Sequence, residues 1–158
     1  MALHVHPDIR SLSPYVPGKP IDELQREFGL TRVIKLASNE NPLGPSPKAL
    51  ASLTGAQDML HRYPDGGAYQ LRQALADRWK VGRDQVILGN GSDEILGLLA
   101  RTFLTPGDEA IMADHTFVIY KMEVTAVHGK PVVVPLANWT HDLESMARAV
   151  TPRTRLLF

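Results

Sequence analysis

One stretch of the sequence decides the fold. Residues 85–113 read QVILGNGSDEILGLLARTFLTPGDEAIMA. A short apolar run over Gln85–Leu88 predicts a strand, the glycines after it predict a tight turn, and apolar residues at helical spacing predict a helix over Ser92–Phe103. A second apolar run predicts a strand over Glu109–Ala113. A strand, a helix and a strand in this order are typical of a crossover unit in a parallel sheet.

The same alternation continues towards residue 158. The pattern predicts a helix at about Thr116–His128, a strand at Pro131–Pro135, a helix at about Leu143–Val150 and an apolar strand at Arg155–Phe158. We therefore predict an α/β fold with a mainly parallel sheet and flanking helices. Ligands of such sheets bind at the carboxyl ends of the strands. No residue follows Phe158 to form that loop, so we expect the chain to be part of a longer one.

The beginning of the chain has a different pattern. Residues 1–34 are rich in proline and contain one predicted helix, Ile21–Phe28, ended by glycine, so we expect an extended N-terminal arm. We place a second segment at residues 35–158. Further predicted elements are a strand at Val33–Ala37, a helix from Ser46 or Pro47 to about Leu53, and a helix at Ala68–Lys80.

Composition and charge restrict the class of protein. The 158 residues are 44% hydrophobic and 22% charged, with 17 basic and 17 acidic side chains. Balanced charge disfavours a nucleic-acid-binding protein, whose Lys and Arg gather on one face, and favours a small-molecule ligand. No apolar run approaches the ~20 residues of a membrane-spanning helix, and residues 1–10 show no signal-peptide pattern, so we expect a cytoplasmic protein. Zero cysteines exclude disulfides and thiolate chemistry.

The turn at residues 89–93 is the sharpest candidate for a ligand site. Two glycines, then Ser92 and Asp93 at a helix start, offer free N–H groups and a helix dipole that favour a phosphate. A plain strand-to-helix turn is the alternative interpretation. A dinucleotide fingerprint is a third, because Asp114 lies near the offset of a ribose-binding acid, although Glu94 occupies the place of its third glycine.

Other polar residues give weaker signals. His4 and His6 alternate as on a strand without an accompanying set of ligands, so we predict no metal site. Asp114 and His115 resemble a base with its orienting partner, but adjacent residues of a strand point to opposite faces. We therefore assign no catalytic pair there.

Together the motifs resemble those of the fold-type I pyridoxal-phosphate aminotransferases of class I and II, and more closely the histidinol-phosphate aminotransferases. The match is ordered along the whole chain, and the Asn-Glu-Asn-Pro loop together with the Gly-Asn-Gly-Ser-Asp-Glu turn is its specific part. The motifs are Pro14-Tyr15-Val16-Pro17-Gly18, Leu36-Ala37-Ser38-Asn39-Glu40-Asn41-Pro42, Arg62-Tyr63-Pro64-Asp65, Gly89-Asn90-Gly91-Ser92-Asp93-Glu94 and His115-Thr116-Phe117-Val118-Ile119-Tyr120.

The resemblance implies a cofactor, pyridoxal 5'-phosphate, and roles for particular residues. Contacts to its phosphate would come from the backbone or side chains of Gly91, Ser92 and Asp93, and Phe117 would stack on its pyridine ring. Tyr63 would reach across a homodimer interface to the phosphate of the partner's cofactor. Three residues would border the substrate: Tyr15, Asn39 and Asn41. Residues 35–158 would then be an incomplete cofactor-binding large domain, and residues 1–34 the arm with a small-domain segment.

The resemblance also implies residues that this sequence does not contain. The lysine that forms a Schiff base with the cofactor, and the aspartate that pairs with the pyridine nitrogen, would lie beyond residue 158. The six lysines, at positions 19, 35, 48, 80, 121 and 130, match no such position. We therefore expect no catalytic residue within the chain, and we expect the 158 residues alone to be inactive, with an unpaired sheet edge and exposed apolar surface.

For the full-length protein the resemblance implies transamination between histidinol phosphate and 2-oxoglutarate in histidine biosynthesis. The products would be imidazole acetol phosphate and glutamate. An aromatic aminotransferase or a threonine-phosphate decarboxylase would share the same motifs. A noncatalytic remnant and a dinucleotide-binding domain are the alternatives from other classes.

Overall fold

The computed structural model describes residues 5–158. Its contacts divide the chain into two compact units. One comprises residues 16–86, and the other comprises residues 5–15 together with 87–158. The predicted division between residues 34 and 35 concerns the domains of a complete enzyme and stays a prediction.

The unit of residues 16–86 is helical. Its helices are α2 (Ile21–Phe28), α3 (Pro47–Gly55) and α4 (Tyr69–Trp79), with single 3-10 turns at Gln57–Met59 and Arg83–Gln85. All three helices were predicted from the sequence. Gly29 ends α2 in the left-handed conformation, with φ +65°, as a glycine after a helix commonly does.

Side chains fix the start of α4 and the segment that follows the helix. The carboxylate of Asp65 accepts hydrogen bonds from the N–H groups of Gly67 and Tyr69, and these bonds hold the pKa of that carboxyl below its ordinary value. Arg72 donates to the carbonyls of Val86 and Arg83, at 3.0 and 2.8 Å. The backbone that leaves α4 is thereby tied to the helix itself.

The second unit contains the sheet. Its elements are α1 (Pro7–Ser11), α5 (Gly91–Phe103), β1 (Glu109–Ala113), α6 (Val118–Ala126), β2 (Lys130–Val134), α7 (Leu143–Arg148) and β3 (Thr154–Leu157). The strands are parallel, in the order β2-β1-β3. Ile111 lies opposite Val132 on one side and Leu157 on the other. The predicted α/β class, with a parallel sheet and flanking helices, is confirmed.

Strand β1 is buried on both faces, which explains the apolar run Ala110–Ala113 that follows Glu109. On one face Ala110 and Met112 pack against residues of α5, α6 and the segment that follows α5. On the other face Ile111 and Ala113 pack against Val134 of β2 and Met146 of α7. The core of this unit is thus two layers of helix on a central strand.

Two predicted strands do not form. Val33–Ala37 and Gln85–Leu88 belong to no strand, and the second contains the end of a 3-10 turn at Gln85. An extended segment becomes a strand only when a neighbour supplies its hydrogen bonds, and no strand of the described residues pairs with either segment. Both predictions are wrong for this chain because local apolar pattern does not report a partner.

The remaining elements confirm the sequence pattern with small shifts of their ends. Helix α6 begins at Val118 and ends at Ala126, inside the predicted Thr116–His128. Strands β2 and β3 are the edges of the described sheet, and Val133 and Leu157 on them are about half exposed. Among residues 5–158, no helix combines the length and apolar character needed to span a membrane.

Candidate functional site

The start of α5 is shaped by its two glycines. Gly91 has φ +76°, and a Cβ added there would meet no atom within 4 Å. A Cβ added to Gly89 would lie 2.9 Å from Cδ1 of Ile95, since the turn packs closely on the first turn of the helix. The N–H of Gly91 donates to the carbonyl of Gly89 at 2.9 Å. Backbone conformation and close packing therefore both explain these glycines.

Free donors remain at this helix start. The N–H groups of Ser92 and Asp93 belong to the first turn, where a helix provides no partner, and the side chain of Asn90 makes no capping bond. The carboxylate of Glu94 instead accepts a hydrogen bond from the N–H of Asn90. Ser92 and Asp93 are exposed, so the donors face solvent.

This arrangement fits a phosphate group. Two free N–H groups lie at the positive end of a 13-residue helix, Ser92 carries a hydroxyl at the same turn, and a Cβ on Gly91 would meet open space. Asp93 is suited to contribute its N–H, because its carboxylate would repel an anion. The site therefore meets the chemical requirement of the phosphate that the resemblance implies.

An aromatic side chain follows the end of β1. Thr116 Oγ1 donates to the carbonyl of Ala113 at 2.9 Å, and Phe117 stands directly before α6. The Phe117 ring lies edge-on to Tyr120, with 6.0 Å between the centroids, and Tyr120 stacks on Phe158 at 4.7 Å. Phe117 is 41% exposed, so its ring is supported on one side and open on the other.

Topology brings these two features to one edge of the sheet. Helix α5 leads into β1 and α6 leaves it, so both helices run opposite to β1 and begin at its carboxyl end. The two helices also pack against each other. A cleft of about 270 Å³ lies at this edge, lined by residues 112–118 together with Lys121 and Val133. Gly91, Ser92, Asp93 and Phe117 thus share the carboxyl edge, where open sheets bind ligands.

Four other residues were expected to contact a ligand: Tyr63, Asn39, Asn41 and Tyr15. Tyr63 is fully exposed and lines a groove of about 560 Å³ in the unit of residues 16–86. In the same unit Asn39 has φ +49°, and the Asn41 amide bonds locally, with Leu43 N–H and the Gly44 carbonyl. Tyr15 is about half exposed at the end of the segment 5–15. Their predicted roles at a ligand stay predictions.

A further pair at the carboxyl edge was set aside by the sequence argument. Asp114 and His115 lie outside β1, and His115 has φ +53°, which turns its ring back so that Nδ1 lies 3.2 Å from the Asp114 carboxylate. The alternation rule applies only within a strand, so its use here was wrong. With Pro135, Leu136, Asn138 and Trp139, the pair lines a cleft of about 430 Å³.

The surroundings of His6 differ from those expected from the sequence. His4 lies outside the described residues. His6 is not isolated, because Asp8 and His128 lie beside it, with 120 residues separating Asp8 from His128 in the chain. The premise that no further ligand-type side chain accompanies His6 is therefore wrong, and sequence spacing cannot reveal so distant a neighbour.

Comparison with known proteins gives one consistent result. The family model of aminotransferase class I and II matches residues 31–158. The histidinol-phosphate aminotransferase of Moorella thermoacetica is 54% identical over 150 residues, which are 95% of this chain and 39% of that protein. Histidinol-phosphate aminotransferase 2 of Pseudomonas fluorescens is 51% identical over 96% of this chain and 42% of its own length.

A solved structure shares the fold. The histidinol-phosphate aminotransferase of Sinorhizobium meliloti, crystallised in complex with pyridoxal-5'-phosphate, superposes with a TM-score of 0.82. It is 26% identical and covers 97% of this chain, while this chain covers 40% of it. The chain therefore spans about two fifths of the length of the relatives it matches.

Proposed function

The chain belongs to the aminotransferase class I and II family, and on that premise we propose that the whole protein is a pyridoxal-phosphate-dependent aminotransferase acting on histidinol phosphate. The products would be imidazole acetol phosphate and glutamate, with 2-oxoglutarate as the amino acceptor. Relatives at 54% and 51% identity that carry this name support the proposal. Membership in this family leaves the dinucleotide-binding alternative without support.

One observation carries the assignment of the cofactor site. The free N–H groups at the start of α5 and the half-open ring of Phe117 lie at the same edge of the sheet. A phosphorylated aromatic ring needs an anion site and a flat apolar surface on one side. We infer that Gly91, Ser92 and Asp93 hold the phosphate of pyridoxal phosphate and that Phe117 stacks on its ring.

The residues of this chain would position the cofactor. When bound, pyridoxal phosphate supplies the electron sink that amino-group transfer needs. The phosphate contacts would fix one end of the cofactor, and the stacked ring of Phe117 would fix its plane and exclude water from one face. Phenylalanine provides stacking without the hydroxyl that a tyrosine would add. We assign no role in proton transfer to the lysines among residues 1–158.

The substrate and assembly belong to the same proposal. Tyr15, Asn39 and Asn41 would border the substrate, and Tyr63, fully exposed here, would reach the cofactor phosphate of a second subunit in a homodimer. A cytoplasmic location accompanies this biosynthetic role. An aromatic aminotransferase and a threonine-phosphate decarboxylase remain the alternatives within the fold.

The experiment is a substrate comparison on the whole protein loaded with pyridoxal phosphate. Histidinol phosphate, phenylalanine and threonine phosphate are offered separately, with 2-oxoglutarate, while glutamate and carbon dioxide are measured. Glutamate formation fastest from histidinol phosphate supports the proposal. A preference for phenylalanine, release of carbon dioxide from threonine phosphate, or no turnover of any substrate would each overturn it.

A pair of variants tests the cofactor site separately. Ser92→Ala should weaken cofactor binding by roughly tenfold, because a hydrogen bond to a charged group contributes about 1.5 kcal/mol or more. Ser52→Ala, at an exposed position of α3, should leave binding unchanged. Equal affinities for pyridoxal phosphate in the two variants would show that Ser92 does not contact the cofactor.

A further inference from the structure

Three side chains of metal-ligand type meet away from the proposed cofactor site. His6, Asp8 and His128 each offer a ligand atom, and these atoms lie within 4.8 Å of one another. His6 and Asp8 stand at the start of α1, and His128 follows α6. The neighbouring sites described above use none of these residues.

The distances suit a transition-metal ion. His128 Nδ1 lies 3.0 Å from Asp8 Oδ2, and His6 Nδ1 lies 3.6 Å from the same oxygen. Ligands of a tetrahedral zinc ion, with bonds of about 2.0–2.1 Å, are separated by about 3.3 Å. The two observed distances lie on either side of that value. The third separation, between the ligand atoms of the two histidines, is within 4.8 Å.

The backbone on the α6 side is held in place. His128 has φ +63°, its N–H donates to the Thr125 carbonyl at 3.0 Å, and its carbonyl accepts from Gly107 at 3.1 Å. The next residue, Gly129, donates to Val124 at 2.9 Å. His128 is therefore presented by a closed turn, as a preformed ligand should be.

The α1 side is loosely packed. Helix α1 has five residues and none of them is buried, although it contacts α6. The rings of His6 and His128 lie 3.8 Å apart between centroids, at 46°. An ion would thus fasten a helix that has little packing of its own.

The donor set selects the class of metal. Two imidazole nitrogens and one carboxylate oxygen suit Zn²⁺ and neighbouring divalent transition metals, whereas Mg²⁺ and Ca²⁺ prefer oxygen ligands alone. All three side chains are partly exposed, so an ion can reach them from solvent. Three protein ligands leave at least one position of the ion for water.

Existing hydrogen bonds present only a weak barrier. His6 Nδ1 accepts a long bond, 3.3 Å, from the N–H of Asp8, and Asp8 Oδ2 is bonded to His128. A coordinating ion would take the His6 nitrogen and the Asp8 oxygen, and the Asp8 N–H at the exposed start of α1 would bond to water instead. We propose that His6, Asp8 and His128 form a binding site for one Zn²⁺ or similar transition-metal ion, which fastens the N-terminal helix α1 to the end of α6.

The test measures metal binding by the whole protein, prepared without a histidine tag. Zn²⁺ is titrated by calorimetry, and Co²⁺ is used as a coloured probe of coordination. We expect one Zn²⁺ site per chain. His128→Ala and Asp8→Asn should each weaken Zn²⁺ binding by on the order of a hundredfold, because loss of a ligand should cost at least as much affinity as loss of a residue that only hydrogen-bonds to a ligand. His141→Ala, an exposed histidine outside the cluster, is the matched control.

Thermal unfolding gives an independent readout. Zn²⁺ should raise the melting temperature of the unmodified protein and of His141→Ala, but not that of His128→Ala, because an ion stabilises only the state that binds it. Circular dichroism with EDTA checks that the variants fold. Their spectra should equal that of the unmodified protein. Equal Zn²⁺ affinity in His128→Ala and His141→Ala would overturn the proposal. So would an absence of metal-dependent stabilisation in the unmodified protein, which would leave only a hydrogen-bonded His-Asp-His cluster.

Discussion

The guanidinium of Arg153 donates to the carboxylate of Glu109 across 3.0 Å, and this bond joins the first residue of β1 to the turn before β3. Thr151 Oγ1 donates to the other carboxylate oxygen at 2.6 Å, and Lys130, the first residue of β2, donates at 3.2 Å. Glu109 is 2% exposed, yet its charge is fully partnered. One side chain therefore connects the starts of all three strands.

This network predicts a dependence of stability on acid. Hydrogen bonds from Thr151 and then Arg153 lower the pKa of Glu109 from 4.5 to about 2. A group whose pKa is lower in the folded state stabilises the fold above its ordinary pKa. That contribution is therefore complete above about pH 4.5 and is lost as the pH falls towards 2.

Glu109→Gln should be less stable than the unmodified protein at pH 7 and should lose less stability between pH 4.5 and 2. Urea unfolding at a series of pH values measures both effects. Glu144→Gln is the control, because Glu144 is exposed and its ion pair with Arg148, at 3.6 Å, is exposed as well. An unchanged acid slope in Glu109→Gln would contradict the role of this carboxylate.

The central strand should be the most sensitive part of the core. Ile111 is fully buried against Val134 of β2 and Met146 of α7, so Ile111→Ala should lower the free energy of unfolding by about 2–5 kcal/mol. Val150→Ala, at a half-exposed position, should change it by less than about 1 kcal/mol. Denaturant titration compares the two variants. Similar losses in both would show that β1 does not organise the core.

Gly91 should be required for its backbone conformation. Gly91→Ala should cost roughly 1–2 kcal/mol of stability, since φ +76° is unfavourable for residues with a Cβ, and it should also weaken phosphate binding. Gly55→Ala also meets open space but has no positive φ, so it should be neutral or stabilise by up to about 1 kcal/mol. Thermal unfolding and cofactor titration measure the two effects. Equal behaviour of the two variants would contradict the strain argument.

Phe117 should contribute stacking and no more. Phe117→Ala should weaken binding of pyridoxal phosphate by roughly two- to tenfold, the size of an aromatic pair contribution, and should also remove the contact with Tyr120. Phe117→Tyr retains the ring and should bind at least as tightly. Absorbance titration of the cofactor distinguishes them. A loss in Phe117→Tyr as large as in Phe117→Ala would exclude simple stacking.

Local pattern predicted most of the elements. Helices α2, α3, α4 and α5 and strand β1 were predicted within a few residues of their ends, because helical periodicity, glycine after a helix and an apolar run are properties of neighbouring residues. The free donors at Ser92 and Asp93 followed from the same local signals. The resemblance added Phe117, whose position before α6 has no signal of its own.

Pairing over long distances was not predictable in this way. Gln85–Leu88 has a strand-like sequence and no partner strand among the described residues, while Glu109 meets Thr151 and Arg153 more than 40 residues away. Each case depends on where another part of the chain lies.

The sequence by itself determined the order of helices and strands, the parallel class of the sheet and the free N–H groups at the start of α5, since these depend on residues a few positions apart. Only the tertiary structure decided which charged and polar side chains meet. Asp8 lies beside His128 across 120 residues because α1 contacts α6. Such meetings are set by packing of the whole unit, and no spacing within the sequence encodes them.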